Sequence, residues 1–297
     1  MQFKKPGKEF KIVDFLLLFL TAVPMLFAIV LKVLFIPVSD EMEITGAFIF
    51  FNIKMPLMDL PITEAQINSW AVVISVLFLC LYLTHGIRAK VVTKRTLLAE
   101  WAVEKVEGLV KENMGEYFMG FAPFVGAILL LSAFSSLSSL LGLFAPTSDL
   151  NIAGGWALLV FILITYYKLK AGPLYYLKGF FEPLPVMLPM NIIGEVATPV
   201  AMTLRHYGNI LSGSVISVLV ASALQGLTSI VLSKLPGFLG EFPFFQIGIP
   251  AVLSVYFDLF SGCLQAFIFV MLTMMYVSTA FPAEEYFRRM KRKENNN

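Results

Sequence analysis

Met190-Asn-Ile-Ile-Gly-Glu-Val-Ala-Thr-Pro-Val-Ala-Met-Thr-Leu-Arg-His-Tyr-Gly-Asn209 places two charges, Glu195 and Arg205, inside a long apolar run. An arginine at bilayer depth costs ~2.5 to 3.5 kcal/mol on insertion scales, so it persists only where it meets protein, water or a counter-charge. Arg205 is therefore a functional-site candidate on physical grounds alone. At about 100° per residue, Asn209 and Ser212 share its helical face, while Ser214 falls on the opposite one. Gly208, Ser212, Gly213 and Ser217 keep the helix surface thin, which in a membrane points to another backbone packed close by.

Composition extends the same reading to the whole chain. Its 297 residues are 58% hydrophobic and 14% charged, with 28 Phe, 14 Met and a mean hydropathy of +0.81. A soluble domain carries roughly 25% charged residues, and several segments here approach the ~20 apolar residues that span a bilayer. The class is an all-α, polytopic integral membrane protein, read as one domain over residues 1–297. The net charge of +2 is too small to argue for a nucleic-acid partner. Cys80 and Cys263 sit in apolar segments as packing residues. No nucleotide-binding loop, metal-ligand cluster or Ser-His-Asp arrangement is visible, so no cofactor is expected and any phosphate chemistry belongs elsewhere.

About six membrane-associated helical segments follow from the apolar runs. The first, residues 15–35, contains Pro24 and Lys32, the latter placed to snorkel toward headgroups. It is read as a retained helix and not a signal peptide, because it is long and no small-residue cleavage site follows. Lys4, Lys5, Lys8 and Lys11 put its start in the cytoplasm, and the acidic stretch 37–66, with Asp40, Glu41, Glu43, Asp59 and Glu64, belongs outside as a cap or loop. Residues 68–83 return the chain to Lys90, Lys94 and Arg95, with His85 at the interface. Residues 97–114 are amphipathic, Leu98, Trp101, Ala102, Val106, Leu109 and Val110 falling on one side, as an interfacial helix or a solvated linker. Residues 117–144 carry Ser132, Ser135, Ser136, Ser138 and Ser139, for which helix packing is the default reading. Residues 153–167 lead back to Lys168, Lys170 and Lys178. Gly172, Pro173, Pro183, Pro185 and Pro189 then make a regular helix improbable before about Val186.

The last two segments are too long for one perpendicular crossing. Residues 186–233 would form a helix of roughly 70 Å against a bilayer core of about 30 Å, so the segment must tilt strongly, bend or fold into a hairpin. Residues 249–287 pose the same problem. Within them Asp258 and Gln265 are seven residues apart and share a face of a regular helix. Asp258 can exchange a proton, and Gln265 can both donate and accept a hydrogen bond. Arg288, Arg289, Lys291, Arg292 and Lys293 form a basic tail over 288–297, which puts both termini in the cytoplasm.

Leu204-Arg-His-Tyr-Gly-Asn209 resembles the arginine motif of subunit a of F-type ATP synthases, and Leu264-Gln-Ala-Phe-Ile-Phe-Val-Met-Leu-Thr273 resembles the last transmembrane helix of that subunit. The two ordered matches cover roughly residues 68–287. Residues 1–67, an additional helix and outside segment, are left unexplained, because members of the family often lack this first helix. The resemblance implies an ion-conducting stator subunit in a prokaryotic cell membrane. Its partners would be the c-ring, the peripheral-stalk b subunits, the rest of the complex and membrane lipid. Arg205 matches the arginine that faces the ion-carrying carboxylate of the c-ring, Gln265 the glutamine close to it and Asn209 the asparagine one turn on. Glu195 resembles the acidic residue on the cytoplasmic half-channel side. Ser214 and Asp258 stand where relatives carry a glutamate and a histidine or other polar residue, so the outer acidic group has moved to the other helix. His206 replaces a typically apolar neighbour of the arginine, read as a cap on the helix surface or a titrating group. Such a subunit would provide two half-channels for H⁺ or Na⁺ that do not meet, with Arg205 between them. The alternative is a secondary ion-coupled transporter with Arg205, Glu195 and Asp258 at its midplane, which predicts internal repeats; none is convincing.

Overall fold

The computed structural model describes residues 8–36, 46–56, 59–85, 87, 93–181, 184–232, 248–249, 252–253 and 255–281. Lys4 and Lys5, the acidic positions Asp40, Glu41 and Glu43, Lys90 and the tail 288–297 lie outside these residues, and with them most of the charge pattern from which the orientation was expected. Six helical stretches among the described residues are long and apolar enough to cross a membrane: Ile12–Phe35, Glu64–Thr84, Glu116–Leu141, Leu150–Ala171, Pro185–Thr228 and Val255–Ala280.

Helix α1 (Lys8–Phe35) packs along α2 (Glu64–Thr84). Helix α2 begins four residues before the apolar run because Thr63 and Gln66 form a capping box, each side chain accepting the other's backbone N–H at 3.4 Å. Before it, β1 (Ile49–Ile53) pairs antiparallel with β2 (Leu60–Thr63) as a hairpin. Lys32 does not simply reach for headgroups: its Nζ donates to Gly142 O at 2.6 Å and lies 3.5 Å from Glu64. At the other end of α1, Asp14 is bonded to the His85 ring at 2.6 Å and paired with Arg95 at 2.7 Å.

Helix α3 (Lys94–Met114) turns Ala99, Val110 and Met114 inward and leaves Leu97, Leu98 and Trp101 exposed. The single apolar side expected there is thus split, Val110 facing protein while Leu98 and Trp101 face outward. A 3-10 turn (Glu116–Phe121) leads into α4 (Ala122–Leu137), and a second (Ser138–Leu141) closes at Gly142, whose φ of 74° suits a residue without Cβ. Helix α5 (Leu150–Ala171) is capped by Asp149, which accepts the Asn151 N–H at 2.8 Å. It ends at Gly172 (φ 136°), and Pro173 opens α6 (Pro173–Phe181) at once. That short helix corrects the expectation of irregular chain up to Val186, because proline at the first helical position loses only an N–H that would have no partner anyway.

Helix α7 (Leu188–Leu232) is continuous over 45 residues with Pro199 inside it. At roughly 68 Å it is over twice the bilayer core, and of tilt, bend and hairpin the last is excluded. A π-helical segment (Val255–Ser261) precedes α8 (Gly262–Ala280). This helix ends at Ala280, with Phe281 extended at φ −130°; the residue before a proline, here Pro282, disfavours helical geometry, and residues 282–287 of the expected segment lie outside the described residues.

The core lies where α3, α4, α5 and α8 meet, around Val110, Phe118, Val125, Val160, Val270 and Met274. Helices α4 and α8 approach so closely that a Cβ at Gly262 would lie 2.5 Å from the Ser136 Cβ. Gly262→Ala is expected to destabilise the fold by ~1 to 3 kcal/mol through overpacking, read as a lower unfolding temperature in detergent. Adding Ser136→Gly should recover part of the loss.

Candidate functional site

Helix α7 carries three polar stations in succession. At the first, Glu195 accepts a hydrogen bond from Lys168 Nζ at 2.6 Å and from the Tyr176 hydroxyl at 3.1 Å. Lys168 belongs to the last turn of α5 and Tyr176 to α6, so the turn at Gly172 and Pro173 brings both onto the carboxylate. Asn191 Nδ2 donates to Phe180 O at 2.9 Å and ties α6 to α7. The ammonium also sits 5.4 Å from the Tyr176 ring centre. Desolvation, then the charge of Glu195 and its hydrogen bond, push the Tyr176 phenol up to about 12. A cavity of about 430 Å³ opens here, lined by Lys168, Tyr176, Glu195, Thr198 and Thr279 among others.

The second station is Arg205, ten residues or roughly 15 Å further along the helix. It lies on the exposed side of α7 among exposed Val200, Ala201 and Leu204. Among the described residues it makes no ion pair or hydrogen bond. His206 points the other way and is 2% exposed, which corrects the reading of it as a surface cap. Its Nε2 lies 3.4 Å from Ser132 Oγ, and its ring meets Phe269 and Trp156 edge-on, with centres 5.5 and 6.1 Å away. One turn on, Asn209 is held to the π segment: Ser261 donates its hydroxyl to Oδ1 at 2.8 Å, and Nδ2 donates to Ser261 O at 3.4 Å. Gly213 allows that contact to continue, since a Cβ there would lie 3.0 Å from the Phe257 Cβ. Three helices and the π segment therefore fix the rotation of α7, and with it the direction of Arg205.

The third station is a cavity of about 460 Å³ at the hairpin end of the molecule, bordered by Asp258, Ser214, Ser139, Tyr207 and Ser148 among others. Ser139, whose hydroxyl donates to Ser136 O at 2.7 Å, borders the cavity together with Asp258. The Ser214 hydroxyl donates to Leu211 O at 2.8 Å. Gln265 does not border this cavity: it is buried in the core with Nε2 unpartnered among the described residues. Regular α spacing would put Asp258 and Gln265 on one face, but the π segment's i→i+5 bonding lies between them and re-aims Asp258. The first and third cavities share no lining residue, and Arg205 lies between them along α7.

Lys168, Tyr176, Ser139 and Ser261 are the site neighbours that sequence reading missed. Lys168 read only as a mark of orientation, and nothing local links it to a carboxylate 27 positions on.

The sequence model described as "ATP synthase A chain" matches residues 67–278. The chain is 28% identical over 243 residues to "ATP synthase subunit a, sodium ion specific" of Propionigenium modestum, covering 76% of each protein. It is 26% identical to ATP synthase subunit a of Legionella pneumophila, covering 76% of this chain and 90% of that one. With ATP synthase subunit a of Priestia megaterium the identity is 37% over 192 residues, 60% of this chain and 75% of that relative.

Because the Tyr176 phenol is raised above its unfolded value of ~10, the fold should lose stability as pH rises from about 10 to about 12. Tyrosinate absorbance of wild type minus Tyr176→Phe is expected to show a component centred at about 12; one centred at the ordinary value contradicts the contact.

Proposed function

From the chain's membership of the ATP synthase A chain family, a multi-pass membrane subunit of the F-type complex, we propose that it is the ion-conducting stator, with two half-channels and an arginine barrier between them. The observation that carries this reading is the pair of separate cavities on either side of Arg205. The Glu195 cavity is the cytoplasmic half-channel, and the Asp258 cavity is the outer one. The orientation follows the lysines at the end of α5, since positive charge marks the cytoplasmic side. Both termini are then cytoplasmic in a prokaryotic cell membrane.

The exposed side of α7 faces the c-ring. A ring carboxylate loads with H⁺ or Na⁺ from one cavity, travels round the ring and discharges into the other. Arg205 stabilises the ionised carboxylate as it passes, and its fixed charge repels an ion that would run straight from one cavity to the other. Guanidinium suits the task because it stays protonated where a poorly solvated lysine loses its proton. Each elementary charge crossing supplies about 2.3 kcal/mol per 100 mV, which turns the ring. Asp258 relays ions in the outer cavity with Ser214 and Ser139 beside it, and Glu195 does so at the other end, with Lys168 as counter-charge. Asn209 serves the path by holding α7 to the π segment, and Gln265, although buried in the core, matches the family's glutamine near the arginine. The b subunits of the peripheral stalk hold this chain against rotation.

The continuous α7 speaks against the transporter alternative, in which broken helices build a midplane site. In the reconstituted complex, Arg205→Ala and Arg205→Lys are expected to assemble and to lose coupled synthesis; normal synthesis in either contradicts the role. Asp258→Asn is expected to slow ion entry from the outer side more than it harms assembly, and unchanged entry removes Asp258 from the relay.

A further inference from the structure

We propose that α1, which lies before the stretch matched by the family model, is a working part of the ion path: through Lys32 it latches a loop that lines the Asp258 cavity. The inference rests on reading that cavity as the outer half-channel. Leu143, Phe144, Ala145 and Ser148 of the loop after Gly142 border the cavity. Backbone groups in such a loop have no helical or strand partner and must find side chains. Three do so from below. Lys32 Nζ donates to Gly142 O at 2.6 Å, Phe144 N donates to Glu64 Oε1 at 3.3 Å, and Asn68 Nδ2 donates to Phe144 O at 2.9 Å.

The latch depends on charge as well as on these bonds. Glu64 is 5% and Asn68 1% exposed. A buried carboxylate needs a counter-charge close by, and Lys32 supplies it at 3.5 Å. Lys32 therefore serves the loop twice, directly at Gly142 and through Glu64 at Phe144. Apolar packing of Ala28 on Ala71 and Leu143 brings α1 near enough for both contacts. Lys32 and Glu64 are positioning residues here, since the cavity borders on the loop they hold.

The test is gradient-driven ATP synthesis by the whole complex in vesicles, measured against ion concentration on the outer face. Lys32→Met is expected to raise the outer concentration needed for half-maximal rate by about tenfold, the order of losing a hydrogen bond to a charged group. Assembly, ATP hydrolysis and the dependence on the opposite face should stay as in wild type, and Lys32→Arg should restore the outer dependence. If Lys32→Met does not assemble, the same shift in Lys32→Gln decides. An unchanged half-maximal concentration in these variants, with Asp258→Asn slowing entry, overturns the latch and leaves the half-channel standing. If Asp258→Asn also behaves as wild type, the outer half-channel reading falls and takes the latch with it.

Discussion

A charge on the exposed side of an apolar helix is the constraint on which the rest of this structure depends. Arg205 has no ionic or hydrogen-bonding partner among the described residues, and hydrocarbon alone is a poor place for it. Its position nevertheless leaves little room for choice, because the next residue, His206, is buried against α4, α5 and α8. Four residues from Arg205, Asn209 is pinned to Ser261. A helix held at two successive points cannot rotate to hide its arginine. In the proposed mechanism the partner that satisfies it is a c-ring carboxylate.

The length of α7 makes the same helix serve both cavities. Forty-five residues exceed one perpendicular crossing, so one continuous element carries Glu195 to one cavity and Ser214 to the other. The two cavities have different electrostatics. Glu195 is held by an ammonium and a phenol, whereas the groups beside Asp258 and Ser214 are neutral hydroxyls. In the proposed mechanism, an ion entering past Asp258 meets a carboxyl group with no counter-charge among the described residues that line the cavity. At Glu195 the proposed exchange would run beside the Lys168 ammonium, which would favour release.

Much of this was legible in the sequence because bilayer physics constrains sequence so strongly. Six crossings, an over-long α7 and the candidacy of Arg205 follow from hydropathy, rise per residue and the cost of a buried charge. Boundaries set by local hydrogen bonds were less visible: the Thr63 and Gln66 capping box starts α2 early, and Pro173 opens a helix where the density of prolines suggested none. The π segment could not be read from periodicity, since its residues fit an α pattern equally well, and it is what parts Asp258 from Gln265. Pairings across distant helices, such as Lys168 with Glu195 and Lys32 with Glu64, leave no local trace. The serines from 132 to 139 read as packing residues because nothing acidic accompanied them; Ser139 shares a cavity lining with Asp258 of another element.

The central claim, two aqueous paths opening to opposite faces and separated at Arg205, is tested most directly by sided thiol labelling. In a complex whose Cys80 and Cys263 are replaced by serine, Thr198→Cys and Ser214→Cys each report one cavity. A membrane-impermeant thiol reagent applied to one face at a time should modify Thr198→Cys only from the face of Lys168 and Ser214→Cys only from the hairpin face. Labelling of both from one face, or of either from both faces, contradicts the separation of the two paths.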